Sequence, residues 1–356
     1  MKILHSIRSL IINSGVTTFV SEIASAQAKL GHNVTVWCWW RPETPIPGAK
    51  IIVTKDLPIN CEFDVVHIHA FWDLYQLRVI RWCHKHKVPY IFSPHGGLMP
   101  RVFTKGRIKK FIFWNFLMKP FVKQASMVHC TSEAEVEACK QIGLKGPFAI
   151  LPLGVHIPQL TDYNNRFKKN NKRVVLFLGR ISEEKGLINL LEAWHHLNSK
   201  KTYNEWILKL VGPDWHGYQK ILKNKIISEN ITGIEFTGTA DAKMKDILYR
   251  TADIFVLPSP MENFAVVVLD ALAYGIPAIA TKGTPWKELE SSHCGLWIDQ
   301  GVDALTEALE QLMSMSDSER YSLGHNGRTL AASKYQWRNI ADDMIDAYEK
   351  NLKNNV

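Results

Sequence analysis

The six cysteines of this 356-residue chain (Cys38, Cys61, Cys83, Cys130, Cys139 and Cys294) include no Cys-x-x-Cys pair. That absence argues against a zinc-ribbon site and against a disulfide framework, and leaves single thiols suited to a reducing compartment. No apolar run is long enough to span a bilayer, since the longest candidate, 264–280, is interrupted by Asp270, Gly275 and Pro277. The opening stretch MKILHSIRSLIINSG lacks an apolar core followed by a small-residue cleavage site, so it reads as a first strand, not as a leader. Neither G-x-x-x-x-G-K-[ST] nor G-x-G-x-x-G occurs, which argues against a P-loop and a simple dinucleotide site. Helix-turn-helix, zinc and RNA-binding signatures are also missing, so nucleic acid is not the expected partner.

Acid is locally scarce as well. Residues 74–132 contain eleven Lys/Arg and no Asp or Glu. The net charge of +9 resides in the first 160 residues, where 19 basic side chains face 9 acidic ones; the remainder carries 24 and 25. Such a field attracts phosphate, whether on a lipid surface or on a substrate. The composition, 46% hydrophobic and 22% charged, is otherwise that of a globular protein. The length suits two domains, each able to bury a core without staples.

What is present is alternation. MKILHSI, HNVTVWCWW, FDVVHIHA, PYIFSPHG and SMVHCTS are short β-rich runs, and helical patterns such as VTTFVSEIASAQAKLG lie between them. A polar stretch at 161–172, TDYNNRFKKNNK, separates these from a second series. That series contains RVVLFLGR, WILKLVG, IEFTGT, DIFVLPS, IPAIAT and GLWID, again with helices between. Strand–helix alternation implies parallel sheets covered on both faces. The expected architecture is therefore α/β, with two doubly wound Rossmann-like units facing across a cleft at their strand carboxyl ends. The expected boundaries are 1–160, 161–335 and a terminal amphipathic helix at 336–356 that packs back on the first unit.

Two segments carry candidate chemistry. In LFLGRISEEKG, Arg180 and Lys185 follow a strand and precede a helix, which suits either a diphosphate clamp or a solvated loop. In PSPMENFAVVVLDALAYG, Glu262 lies in a loop and Asp270 inside an apolar helix. Amides near Phe264, Ala265 and Val266 would be unpaired at that helix start and available to phosphate. An ionised Asp270 among apolar neighbours needs a partner: either ribose hydroxyls or a group of its own domain. A third segment, RVFTKGRIKKFIFWNFLMKPFVKQA, reads either as a basic amphipathic surface for an anionic membrane or as a packed helix with a basic face.

The order and spacing of NSGVTTFVSEIASAQAKLGHNVTV, DVVHIHAFWD, SPHGGLMPR, TSEAEVE, LPLGV, FLGRISEEKG, VGP, FTGT and PSPMENFAVVVLDALAYGIPAIAT resemble the retaining GT-B glycosyltransferases of family 4 over nearly the whole chain. The family's two glutamates, with seven residues between them, read here as Glu262 and Asp270. The resemblance implies that Glu262, with Asn263 beside it, contacts the transferred sugar and that Asp270 meets the ribose. Arg180, Lys185 and the amides at Phe264, Ala265 and Val266 would hold the diphosphate. Gly15 would let the first loop approach the donor, although a Gly pair is usual there and this chain has Ser14–Gly15. Thr237 and Gly238 would flank the base, and Gly212 would line the same cleft. His95, in SPHGG, would sit by the transferred sugar as an orienting group, and His67 and His69 read as structural.

The implied activity is retaining transfer of a hexose or acetamido-hexose from a UDP- or GDP-linked donor to a glycan, expected to be lipid-linked, in bacterial surface polysaccharide synthesis. No cofactor and no metal are expected, because no Asp-x-Asp is present. The expected location is cytoplasmic, peripheral on the inner membrane. The alternatives are a catalytically weak nucleotide-sugar-binding subunit, or another GT-B enzyme such as an epimerase or a glycan phosphorylase.

Overall fold

The computed structural model describes residues 1–11, 14–40, 45–55, 62–70, 72, 74–103, 107–160, 172–199 and 203–353. Cys61 and nearly all of the polar 161–172 stretch lie outside the described residues. The chain divides into two compact units, residues 1–154 with 335–356, and residues 155–334. The division thus falls six residues earlier than the sequence suggests, because Val155 is already buried within the second unit.

The first unit is a seven-stranded sheet. Its strands are β1 (Lys2–Ser6), β2 (Asn33–Cys38), β3 (Lys50–Val53), β4 (Val65–His69), β5 (Tyr90–Ser93), β6 (Met127–Cys130) and β7 (Phe148–Ile150). They run β3-β2-β1-β4-β5-β6-β7, and every pairing is parallel. Strands β3 and β7, only four and three residues long, lie at the two edges. They are too short to show a periodicity and go unrecognised in the sequence. Central strands such as β4 and β5 are buried at every position, as strands covered on both faces must be.

Helix α1 (Gly15–Lys29) covers one face with Phe19, Val20, Ile23 and Ala24. The last helix of the chain, Trp337–Lys353, packs against α1. Its buried residues are Trp337, Ile340, Ala341, Met344, Ile345 and Tyr348, the i, i+3, i+4, i+7 stripe of an amphipathic helix. Gly154 makes room for its start, since a Cβ there would lie 2.4 Å from the Trp337 ring. On the other face, α2 (Tyr75–His86) precedes a broken helical stretch. That stretch comprises a 3₁₀ turn (Pro100–Phe103), α3 (Arg107–Ile112), a π-helical segment (Phe113–Met118) and α4 (Lys119–Val122). Helix α5 (Glu133–Gln141) follows β6 and starts on Ser132, whose hydroxyl accepts from the Glu135 amide at 3.3 Å.

The second unit is a six-stranded parallel sheet ordered β10-β9-β8-β11-β12-β13. Its strands are β8 (Arg173–Leu178), β9 (Trp206–Val211), β10 (Ile234–Gly238), β11 (Ile254–Leu257), β12 (Ala278–Thr281) and β13 (Gly295–Ile298). Helices α6 (Leu187–Ser199), α7 (Tyr218–Ser228), α8 (Ala242–Thr251), α9 (Val266–Ala273), α10 (Glu288–Ser291), α11 (Val302–Ser314) and α12 (Asp317–Lys334) connect and cover them. Helix α9 is almost wholly apolar because it lies between the sheet and α12; Val268, Leu269, Ala271, Leu272 and Ala273 are buried. No helix of the described residues is long and apolar enough to cross a membrane.

Candidate active site

The six-stranded sheet reverses its order between β8 and β11. In an open parallel sheet, the strand carboxyl ends beside such a reversal form the ligand crevice. The chain leaving β8 carries Arg180 and Lys185, and the chain leaving β11 carries Glu262 to Val266.

Lys185 ends a single 3₁₀ turn, Glu183–Lys185, closed by Gly186 at φ 69°. A Cβ on Gly186 would lie 2.2 Å from the Pro258 carbonyl oxygen, so only glycine lets this turn sit against the end of β11. The approach brings Lys185 Nζ onto Glu262 Oε1, with side chains only 14% and 11% exposed. The sequence treats these residues as separate binders of phosphate and sugar; the structure makes them an ion pair across the reversal point. Glu262 is further anchored by its amide, which donates to the Gly283 carbonyl at 2.9 Å.

Arg180 is more open. It donates to Glu184 Oε1 at 2.7 Å, and its guanidinium lies 4.9 Å from the centre of the Trp215 ring. Trp215 escapes a sequence reading because nothing in VGPDWHG marks it; an isolated bridge between Ile181 and Asp214 brings it beside Arg180. Gly212 has a structural reason to be glycine, at φ 148° with its Cβ position 1.7 Å from the Gly179 carbonyl. Its amide donates to the Gly238 carbonyl at 2.8 Å, which ties the end of β9 to the end of β10. Thr237 is exposed there, and a Cβ on Gly238 would meet only open space.

Helix α9 begins on Ala265, held in the left-handed region at φ 62° and ψ 59°. That conformation costs a non-glycine residue roughly 1–2 kcal/mol. It is braced by Trp286, whose indole N–H donates to the Phe264 and Ala265 carbonyls at 2.7 and 3.2 Å. The Phe264 ring packs on the same indole at 5.4 Å, and Asn263 lies part-buried just before it. The result is a fixed helix start, with the Val268 amide donating to the Ala265 carbonyl at 3.0 Å and the amides of Val266 and Val267 at the positive end of the helix dipole.

Asp270 is the fifth residue of α9. Burial pushes its carboxyl up to about 6, opposed by Lys245, a hydrogen bond with Tyr249 and His156. Asp270 therefore has a neighbour of its own unit in Tyr249, which was one of the two arrangements compatible with the sequence.

In the first unit, His95 follows β5 with φ 50°, and Gly96 continues the left-handed turn at φ 74°. The turn is pinned by the buried carboxylate of Glu135, which accepts from the Gly96 amide and from the Thr131 amide and hydroxyl at 2.8 and 3.0 Å. The edge of the Phe19 ring packs on His95 at 5.0 Å. Gly15, at the start of α1, is constrained by neither its φ nor its neighbours, because a Cβ there would meet nothing within 4 Å.

A pair of opposite charges, an arginine over an indole ring and a helix start thus follow the strand carboxyl ends around the reversal point of a doubly wound sheet. Comparison with known proteins names the family. Residues 161–330 match the model described as Glycosyl transferases group 1, and residues 54–158 match Glycosyltransferase Family 4. The chain belongs to these family 4 glycosyltransferases and has the GT-B fold. It is 25% identical over 328 residues to the D-inositol 3-phosphate glycosyltransferase of Corynebacterium urealyticum, covering 85% of this chain and 74% of the relative. It is 22% identical over 295 residues to the GDP-mannose:cellobiosyl-diphosphopolyprenol alpha-mannosyltransferase of Xanthomonas campestris, covering 81% and 74%. Among solved structures, Anabaena HepE in complex with UDP-glucose superposes with a TM-score of 0.75 at 18% identity, covering 98% of this chain and all 100% of that one.

Proposed function

We propose that this glycosyltransferase moves a hexose or acetamido-hexose, with retention of configuration, from a UDP- or GDP-linked donor to a lipid-linked glycan of a bacterial surface polysaccharide. The observation that carries the reading is the Lys185–Glu262 pair at the sheet reversal, on the loop that leads into α9. In the reaction, the bond between the anomeric carbon and the β-phosphate oxygen breaks, and negative charge grows on that phosphate. Lys185, Arg180 and the amides after Ala265 stabilise this charge, a preorganised electrostatic contribution of the kind that dominates many enzymes. As the diphosphate draws Lys185 to itself, Glu262 is released toward the sugar hydroxyls. The acceptor attacks on the face the phosphate leaves, and its proton passes to that phosphate. His95 orients the sugar. The two cations and the helix dipole supply charge stabilisation without a metal. The relatives' printed activities, on inositol phosphate and on a diphosphopolyprenol-linked sugar, support this substrate class. The rival, a catalytically weak nucleotide-sugar-binding subunit, draws on the fact that both acids already have partners within the unit.

Asp270 supplies a test through pH. Its carboxyl holds a proton more tightly folded (about 6) than its ordinary value of 3.8, so its contribution to folding stability falls as pH rises through that window. Ribose hydroxyls that donate to the ionised acid favour its charged form. Nucleotide-sugar binding then expels a proton, and affinity should climb from about pH 5 and level off above about pH 7. Calorimetric titration with UDP-glucose and GDP-mannose measures this, and Asp270→Asn should flatten the profile. A pH-independent wild-type affinity would remove the ribose role, and binding of no nucleotide sugar at all would remove the function.

The lipid-linked part rests on the broken helical stretch. Ile108, Phe111, Ile112 and Phe116 are 76%, 61%, 51% and 73% exposed there, beside Lys109. Trp114, Met118 and Val122 hold the stretch to the core. This is an amphipathic surface suited to an anionic bilayer. Phe111→Ser with Phe116→Ser should cut co-sedimentation with phosphatidylglycerol vesicles by about tenfold, since ring burial is lost, with little change in melting. If the wild type stays in the supernatant at low salt, the membrane reading fails.

A further inference from the structure

Arg180 and Trp215 hang from one piece of backbone. The Ile181 amide donates to the Pro213 carbonyl at 2.9 Å, and the Trp215 amide donates to the Ile181 carbonyl at 3.0 Å. Ile181, the residue after Arg180, is thus tied on both sides to the turn that follows β9. That turn is also closed along its own length. The Gln219 amide donates to Asp214 Oδ1 at 2.9 Å, and the Tyr218 amide donates to the Trp215 carbonyl at 3.3 Å. The His216 ring meets the indole in a T-shaped arrangement at 4.9 Å. Trp215 is therefore held in place although it is 45% exposed.

The two neighbours of Arg180 act on it differently. A guanidinium carries its N–H donors in its own plane, so a ring against its face fixes that plane and uses none of them. Trp215 is such a ring, 4.9 Å from the guanidinium carbon. Glu184 instead takes an edge, accepting from Arg180 Nη2 at 2.7 Å. Both side chains of this i, i+4 pair are 45% exposed, and ion pairs so open contribute little and exchange readily. A diphosphate is the stronger partner for that edge, because it brings more charge and adjacent oxygens for a bidentate contact. Glu184 and Lys185 belong to the same 3₁₀ turn, so each cation of the crevice faces a carboxylate. Glu262 has a further task at the sugar; the chemistry of the site gives Glu184 none.

We propose that Trp215 and Glu184 are positioning residues that act on Arg180 in opposite directions. The indole fixes the plane of the guanidinium and leaves its edges to a nucleoside diphosphate, while Glu184 competes for one edge and is displaced. The proposal rests on the reading of Arg180 as a diphosphate contact; the contact between Arg180 and Trp215 does not. Loss of the indole frees the guanidinium, which binding must then restrain at an entropic cost. Loss of the Glu184 charge removes both a competitor and a repulsion between carboxylate and phosphate. One substitution should therefore weaken the complex that the other tightens, and a purely structural role for both residues gives no such opposition.

The experiment is calorimetric titration with UDP and with GDP of the wild type, Trp215→Leu and Glu184→Gln, each repeated in an Arg180→Ala background. For the nucleotide that binds, Trp215→Leu should weaken affinity by about two- to fivefold, the worth of an exposed cation–π contact. Glu184→Gln should tighten it by about twofold, the worth of an open i, i+4 pair. Neither substitution should matter once Arg180 is alanine, because both act through it. Arginine side-chain ¹⁵N NMR reads the stack without any nucleotide. The Arg180 Nε–H signal should lie upfield in the wild type, shielded by the indole, and return to its ordinary position in Trp215→Leu. Weaker binding by Glu184→Gln, either effect persisting beside Arg180→Ala, or an unshielded Arg180 in the wild type overturns the proposal. If UDP or GDP binds and Arg180→Ala leaves its affinity unchanged, this inference falls while the nucleotide-sugar reading stands. If neither nucleotide binds the wild type, both fall.

Discussion

Glu262→Ala should lower kcat/KM for sugar transfer by about 10²–10³-fold, the scale of removing one preorganised electrostatic group from an active site. Two effects combine. The sugar hydroxyls lose their carboxylate, and Lys185 loses the partner that aims it across the sheet reversal. Because Lys185 is only 14% exposed, its unpaired ammonium also carries a desolvation penalty. The second unit should lose about 2–4 kcal/mol, near the lower end of what breaking a buried pair costs. Lys185→Ala in the same background should recover part of that stability, because no charge is then stranded, and should recover no activity. Glu262→Gln separates shape from charge: it keeps the hydrogen-bonding outline, loses the ion pair, and should fall between alanine and wild type. Steady-state release of nucleoside diphosphate with thermal melts of all four proteins decides the matter. Equal rates for wild type and Glu262→Ala would remove Glu262 from the chemistry and favour the weak binding subunit.

Glu135→Ala has the largest expected effect on stability. The Glu135 side chain is fully buried, and it satisfies the Gly96 amide, the Thr131 amide and the Thr131 hydroxyl. Truncation strands three buried donors, each deprived of a charged acceptor, and leaves a cavity. The cost should be about 3–4 kcal/mol, less than the plain sum because the loop relaxes. For a unit of this size that is roughly 6–16 °C in the melting of the first unit. The turn it pins holds His95 at φ 50°, a conformation that persists only while its surroundings impose it. The variant should therefore also broaden the His95 resonances while leaving the folded second unit unchanged. A melting shift of only one or two degrees would show that Glu135 does not hold the turn.

Much of the fold is legible in the residues because burial on both faces leaves a plain signal. DIFVLPS and IPAIAT are short apolar runs ended by polar or turn residues, and both are central strands, β11 and β12. Edge strands β3 and β7 were not legible: three or four half-exposed residues carry no period, and their strand geometry comes from the neighbours they pair with. Helix α9 was legible as a helix from its length and its Gly275 stop. Its left-handed start on Ala265 was not, because alanine carries no turn signal and the conformation is imposed by Trp286, about twenty residues away in sequence.

By itself, the sequence determined the two doubly wound units, the family and the identity of the charged side chains, because local pattern and residue chemistry act over a few positions. The tertiary structure alone decided how those side chains are used. Whether Lys185 meets phosphate or carboxylate depends on the close approach that Gly186 permits to Pro258. Whether Asp270 is ionised depends first on its burial, and then on Lys245 and Tyr249, which the chain brings from α8. Such bonds join residues far apart in the chain, and short-range pattern carries no information about them.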